Sequence, residues 1–176
     1  MMRRLSILFI AGAALLATTL AVAGGASARQ DELTAIRAAT ARFQSIGQAE
    51  KAGYGPFYVC TEQPGVGTMG QHYVNGDLVG DPAVDLARPE ALVYEPTSNG
   101  GYRLVALEYV VLEASLNGAP APTVLGQPMT KVLAGNRYGL PDFYQRHVWL
   151  YDANPLGLLN DWNPTVSCRG TGDGGG

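Results

Sequence analysis

The sequence predicts an α+β fold in which an N-terminal amphipathic helix packs on a curled antiparallel sheet, or small β-barrel, of five to six strands. Apolar residues recur at helical spacing in one segment only, Asp31 to Gly53. After Gly53 the apolar runs are short and are separated by glycine, proline and asparagine, which is typical of strands joined by turns. One helix followed by a series of strands is the element pattern of an α+β domain.

Residues 1–28 are predicted to be a signal peptide. Arg3 and Arg4 make the start positive, the stretch from Leu5 to Ala23 carries no charge, and Ala26-Ser27-Ala28 matches the small-residue pattern for cleavage. We therefore expect a secreted or cell-envelope protein with no stable membrane anchor after cleavage. An uncleaved anchor is the competing interpretation, because the apolar stretch is long enough to span a membrane.

Cleavage after Ala28 would leave 148 of the 176 residues, which suits one globular α+β domain over residues 29–169. The glycine-rich tail, residues 170–176, is predicted to be disordered. The mature chain would carry 10 basic and 15 acidic side chains, and the basic ones form no cluster. This balance argues against binding to nucleic acid and to anionic membrane surfaces.

The chain has two cysteines, Cys60 and Cys168. Since an exported chain meets an oxidising environment, we expect them to form a disulfide. In the chain-entropy model a loop of about 100 residues closed in this way is stabilised by roughly 4–5 kcal/mol. The bridge would tie the C-terminal segment to the first strand.

The helix is predicted to run from Asp31, with acidic residues in its first turn, to Gly53 as its C-terminal cap. Its apolar stripe is narrow and rich in alanine, so it should lie against a broad surface such as a sheet face. The residues of this stripe are Leu33, Ile36, Ala39, Phe43 and Ile46.

The strands are predicted from short apolar segments and the turns between them. Asn75-Gly76 and Asn99-Gly100 are the hairpin signals, and Glu113 to Gly139 is a long proline-containing surface loop with an apolar plug at Val124-Leu125 and a turn around Met129 to Leu133. Residues Gln63 to Gly70 are predicted to form a loop. The predicted strand segments are Tyr54–Thr61, Gln71–Val79, Arg88–Pro96, Tyr102–Leu112 and Asp142–Tyr151.

Three titratable residues inside apolar strands are the candidates for chemistry. His72 and His147 are the two histidines of the chain, and Glu108 lies in its most apolar strand, on the face predicted to carry Leu104 and Val110. A buried carboxylate requires a hydrogen-bond partner, a cation or a proton. Two imidazoles and one carboxylate suit a divalent transition metal, so a metal site at these residues is the sharpest hypothesis.

The alternative is that these residues are ordinary parts of the core. Each histidine would then bond to a backbone carbonyl, to Tyr73 or to Asp161, and Glu108 would pair with an arginine, namely Arg88, Arg103 or Arg146. A histidine–carboxylate pair acting in acid–base chemistry without metal is a further alternative. Tyr73, Trp149 and Tyr151 are candidates to line a ligand pocket, although aromatic residues alternating along strands are more often core.

Asp161 and Asn163 flank Trp162 in a turn-rich segment, where both suit Asx-turns.

Several motifs resemble those of a group of small exported bacterial proteins of unknown function. They are Gly70-Gln71-His72-Tyr73-Val74-Asn75, Arg88 to Tyr94, His147 to Tyr151, Asn154-Pro155-x-Gly157 and Asp161-Trp162-Asn163-Pro164. This resemblance implies export and a shared fold, and it implies no activity and no functional residues.

The sequence leaves three functions open. The first is a module that binds a metal or another small ligand, with a divalent transition metal as the candidate cofactor. The second is a hydrolase that uses a metal, or a histidine and a glutamate, at the same residues. The third is a structural or interaction protein of the cell envelope without a site. No substrate or protein partner is indicated by any motif.

Overall fold

The computed structural model describes residues 14–171, with the side chains of residues 25–170. The chain divides into two units, of which the first ends at Thr34 and the second begins at Ala35. The described part of the first unit is helical. The predicted signal peptide and the predicted tail fall partly outside the described residues, at 1–13 and 172–176. Among the described residues, no helix has the length and hydropathy that a membrane crossing requires.

The helical region differs from the predicted single helix over Asp31 to Gly53. Helix α1 spans Ala14–Thr40, a 3-10 turn follows at Ala41–Gln44, and helix α2 spans Ile46–Lys51. The helical path is interrupted at Ser45, which is extended with φ −93° and ψ 113°, and the nearby Phe43 carbonyl accepts the Tyr94 hydroxyl at 2.6 Å. Phe43 is buried there, with its ring 5.1 Å from that of Tyr54. The prediction of Gly53 as the C-terminal cap is confirmed, because Gly53 has the left-handed backbone conformation of such caps, with a φ of +91°.

The second unit contains a curled antiparallel sheet of six strands, which confirms the predicted α+β class. The strand order is β1-β2-β3-β4-β8-β7, and β5 and β6 pair separately. Irregular pairing in β1, between Phe57 and Glu62, bends this edge of the sheet. The strands are β1 Gly55–Gln63, β2 Gly67–Val74, β3 Ala91–Pro96, β4 Tyr102–Leu112, β5 Thr123–Val124, β6 Gln127–Pro128, β7 Thr130–Val132 and β8 Phe143–Val148.

One of the two predicted hairpins is confirmed. The turn at Asn99-Gly100 joins β3 to β4, and Gly100 has the positive φ, +78°, that such a turn requires. The prediction of a hairpin at Asn75-Gly76 was wrong. Asn75 instead caps helix α3, Gly76–Val79, where its side chain accepts the backbone N–H of Asp77 at 3.1 Å. Strand β2 therefore pairs with β3 across a long connection.

Two other local predictions need correction. The loop predicted over Gln63 to Gly70 is shorter, because β2 already begins at Gly67. The turn predicted around Met129 to Leu133 is instead the edge strand β7, which pairs with β8. The predicted plug is confirmed, since Val124 and Leu125 are buried.

Strand pairing fixes which side chains share a face. Residue Val105 is an extra residue in β4, because Val93 pairs with Ala106 whereas Tyr94 pairs with Leu104. This bulge moves Leu104 away from the face of Glu108, where simple alternation had put it. The faces are therefore the site face, with His72, Val93, Ala106, Glu108 and His147, and the helix face, with Tyr73, Leu92, Tyr94 and Leu107.

The C-terminal segment is fastened to the strands near the start of the sheet. Cys60 and Cys168 form the predicted disulfide, with their Cα atoms 5.8 Å apart. Thr68 and Asn163 exchange backbone hydrogen bonds of 3.0 Å in both directions. The Asn163 side chain also accepts the N–H of Thr165 at 3.0 Å, which is the Asx-turn expected there. Residues between β8 and Asn163 are thereby held close to the site face.

Candidate metal centre

The three candidate residues come from strands β2, β4 and β8 and lie on the site face. Glu108 and His147 are direct partners across the β4–β8 pair. His72 is on β2, which β3 separates from the β4 strand of Glu108, so two strand spacings of together about 9–10 Å lie between the backbones of the two residues. The gap closes because the sheet is curled and because the β3 residue opposite Glu108 is the small Ala91. The sequence therefore predicted residues that the fold does bring together.

Each of the three side chains is buried, with residue exposures of 5% for His72, 6% for Glu108 and 0% for His147. The Nε2 atoms of His72 and His147 are 3.3 Å apart. His72 Nε2 is also 3.3 Å from Glu108 Oε2. One ligand atom from each residue can be chosen such that all three atoms lie within 4.8 Å of one another.

Asp161, which the sequence indicated only as a turn residue or a partner in the core, is a further functional candidate. Its Oδ1 lies 3.6 Å from His147 Nδ1, and both buried atoms lack a hydrogen bond in the described structure. The flanking residues explain its position, since Asn160 accepts the Trp149 indole N–H at 2.6 Å and Asn163 is bonded to Thr68. In the described structure Asp161 does not form the Asx-turn expected there, because the N–H of Asn163, two residues on, donates to the Thr68 carbonyl instead.

Burial and mutual charge set the protonation of the centre. Burial and, to a lesser extent, the neighbouring His147 lower the pKa of His72 to about 3, against the opposing effect of a hydrogen bond to the Gly70 backbone. Burial also lowers the pKa of His147, but the carboxylates of Glu108 and Asp161 outweigh it and raise that pKa above its ordinary value. Burial raises the pKa of Glu108. His72 is thus neutral, which is the form that binds metals.

The arginines that could have neutralised Glu108 are engaged elsewhere. Arg88 pairs with Asp85, and Arg103 pairs with Glu95 and Asp152. Arg146 donates to the backbone carbonyls of Pro128 and Leu159. The two histidines are therefore the groups that face the Glu108 carboxylate among the described ion pairs.

A cavity of about 450 Å³ opens beside the centre and reaches His72 and Glu108. His147 does not line it and lies behind the other two residues. Along one side of the cavity, the Tyr138 ring lies 6.2 Å from that of Phe57 and 6.4 Å from that of Phe143. Its volume is in the range of pockets that hold small molecules. Tyr138 lies in the loop before β8, where no pattern in the sequence indicated a lining residue.

The three aromatic residues predicted to line a pocket lie elsewhere. Tyr73 is on the helix face, with its ring 5.2 Å from that of Tyr94. Trp149 is buried and stacks on the His147 ring, with centroids 6.1 Å apart. The Tyr151 hydroxyl lies 2.9 Å from the hydroxyl of Thr40. Trp149 can therefore orient a site residue, whereas the cavity is lined by other side chains.

Comparison of the chain with protein-family models, with curated proteins and with solved structures found no match. The resemblance to exported bacterial proteins accordingly stays a prediction, and the case for a function depends on the geometry of the centre.

Proposed function

We propose that this chain is an exported metal-binding domain that holds a divalent first-row transition metal with His72, Glu108 and His147. The observation that carries the proposal is the spacing of the ligand atoms. In a tetrahedral site with bonds of about 2.0–2.1 Å, neighbouring ligand atoms lie about 3.3–3.4 Å apart. The two distances from His72 Nε2, to His147 Nε2 and to Glu108 Oε2, are both 3.3 Å. His147 and Glu108 approach each other through Nδ1 and Oε1 at 3.8 Å, and one ligand atom of each of the three residues can be chosen within 4.8 Å of the others.

The surroundings of His147 support the same proposal. A histidine that binds a metal through one ring nitrogen commonly donates its other N–H to a carboxylate, which fixes the tautomer and the orientation of the ring. Asp161 is in that position, with Oδ1 at 3.6 Å from Nδ1, and a bound cation would draw the two together. Without a cation, Glu108 and Asp161 place two carboxylates around imidazoles in a buried site. A divalent ion offsets this negative charge.

Export is proposed on separate grounds. The disulfide between Cys60 and Cys168 is consistent with an oxidising compartment. Together with the sequence of residues 1–28, it supports a secreted or cell-envelope location.

The test is direct titration of untagged, EDTA-treated protein with Zn²⁺, Ni²⁺ and Mn²⁺, followed by calorimetry and by elemental analysis after gel filtration. We expect one ion per chain for the wild type and an affinity at least about 100-fold lower for His147→Ala and Glu108→Gln. Glu113→Gln is the matched control, because that carboxylate pairs with Lys131 rather than with histidine. If none of the three ions binds, the proposal is wrong, and the alternatives that need no metal remain.

A metal-dependent hydrolase is the second candidate, and the cavity is the observation that favours it. Three protein ligands leave a fourth position for water or substrate, and His72 and Glu108 border a space that could admit one. Turnover of simple ester and amide substrates by the zinc-loaded protein, lost in Glu108→Gln, would favour the enzyme. Metal binding without turnover would favour the binding module.

A further inference from the structure

The cavity beside the metal centre has an apolar body and one polar end. The polar side chains that line it are His72 and Glu108 at its base and Tyr138 at its side. The Tyr138 hydroxyl donates toward Met69 Sδ at 3.5 Å, so it is directed away from a ligand in the cavity. The remaining lining is mostly hydrophobic, and its larger side chains are Phe57, Val74, Val79, Val110, Leu140 and Phe143.

The base of the cavity is where an ion held by the proposed ligands would meet a second molecule. His147 is fully buried and does not line the cavity, whereas His72 and Glu108 do, so the open side of the ion faces the cavity. A divalent ion with two neutral imidazoles and one carboxylate retains one positive charge. Asp161 does not line the cavity, and its carboxylate faces His147 instead. A single anionic oxygen group is therefore the matching head group.

We infer that the centre binds an apolar monocarboxylate, with the carboxylate on the metal ion and the hydrocarbon part in the cavity. The inference rests on the proposed metal site and names its ligand class. It makes the binding conditional on the ion, because the ion supplies the positive charge for the ligand's carboxylate and, among the described residues, no lysine or arginine lines the cavity. A neutral molecule with the same chain lacks this dependence.

Two glycines make the cavity testable without a change in the metal ligands. Gly76 lines the cavity, has an ordinary negative φ, and a Cβ built on it meets no atom within 4 Å. Gly55 has the same properties. Leucine at either position should occupy the cavity while the fold is kept. Gly80, at the end of the same short helix as Gly76, is also free of contacts but does not line the cavity, so Gly80→Leu is the matched control.

The experiment measures binding of decanoate, hexanoate and decanol by calorimetry, to metal-free protein and to protein loaded with one equivalent of Zn²⁺ and freed of excess ion. Each buried methylene strengthens binding by about fourfold, so decanoate should bind the loaded protein at least about tenfold more tightly than hexanoate. Decanoate should also bind the loaded protein at least about tenfold more tightly than the metal-free protein, whereas decanol should bind both forms about equally. Gly76→Leu and Gly55→Leu should weaken decanoate binding by about tenfold or more, and Gly80→Leu should leave it unchanged.

The possible outcomes distinguish a failure of the inferred carboxylate ligand from a failure of the proposed metal site. Zinc binding with the decanoate pattern above, and with unchanged zinc affinity in the leucine variants, supports the inference. Zinc binding with decanoate affinity that is independent of zinc, or unaffected by both leucine variants, overturns the inference and leaves the metal site intact. Failure of zinc itself to bind overturns both the metal site and its ligand.

Discussion

The Nε2 atoms of His72 and His147 lie 3.3 Å apart although two strands, β3 and β4, separate their own strands in the sheet. With His72 neutral, the two facing nitrogens can share one proton or one metal ion. Glu108 closes the third side at 3.3 Å from His72. Because these distances are short, a rotation of either imidazole ring would change the spacing of the ligand atoms. Asp161 is positioned to fix the orientation of the His147 ring, since its Oδ1 lies 3.6 Å from His147 Nδ1.

Asp161→Asn should weaken zinc affinity by about 10–100-fold without changing the stoichiometry, because the amide still fits but no longer attracts the His147 N–H by charge. Calorimetric titration of the metal-free protein measures the effect. Asp152→Asn is the control, since the two aspartate side chains have equal exposure, 24%, and Asp152 pairs with Arg103. Equal zinc affinities for wild type and Asp161→Asn would exclude a positioning role for Asp161.

The second prediction concerns the pH dependence of stability. Burial raises the pKa of Glu90 from 4.5 to about 7, while its carboxylate accepts the Val110 N–H at 3.0 Å. Because the folded state holds this proton more tightly than the unfolded state, the contribution is present below pH 4.5 and is lost as the pH rises through 7. Wild-type stability should therefore fall between these values by up to about 3 kcal/mol from this group.

Glu90→Gln resembles the protonated side chain, so it should match the wild type near pH 4.5 and be more stable by up to about 3 kcal/mol at pH 8. Urea unfolding in EDTA at both pH values measures the difference, with the exposed Glu50→Gln as the control for loss of one charge. A Glu90→Gln variant that is less stable than the wild type at pH 8 would contradict the assignment.

The third prediction concerns the disulfide, which closes a sequence separation of 108 residues. The double variant Cys60→Ser, Cys168→Ser should lose about 2–5 kcal/mol of unfolding free energy, because the unfolded chain regains the conformations that the bridge removes. Urea unfolding of the double variant should agree with that of the wild type reduced by dithiothreitol. A loss below about 1 kcal/mol would mean that noncovalent contacts suffice to fasten the C-terminal segment, among them the backbone hydrogen bonds of Asn163 and that of the Ser167 N–H to Glu95.

The fourth prediction compares two glycines with positive φ. At Gly70, with φ +110°, an added Cβ would lie 2.7 Å from Val93 Cγ1 and 2.9 Å from the Tyr94 carbonyl oxygen. At Gly100, with φ +78°, it would meet nothing within 4 Å. Gly70→Ala should therefore cost about 3 kcal/mol or more, and Gly100→Ala only about 1 kcal/mol, in thermal or urea unfolding. Equal costs would show that β2 and β3 separate easily to admit the methyl group.

Local chemistry explains which parts of the fold could be predicted. The Asn99-Gly100 turn and the bounds of β4 were recognisable because both depend on the residues within the segment. The same dipeptide at Asn75-Gly76 caps a helix instead, because strand β2 pairs with the distant β3 rather than with the residues that follow it. The helix is interrupted beside Phe43, whose carbonyl accepts the hydroxyl of Tyr94, 51 residues away, and no local pattern contains this partner.

The sequence by itself determined that Glu108 and both histidines would be buried in strands and that Cys60 would bridge to Cys168. Strand periodicity and the presence of only two cysteines decide these points within the chain. Only the tertiary structure decided that the three side chains converge, since this depends on the curl of the sheet and on Ala91 opposite Glu108. It alone decided that Asp161 stands behind His147 and that a cavity opens beside His72 and Glu108. These contacts are between residues of different strands and loops, and their positions relative to one another depend on how the whole sheet packs.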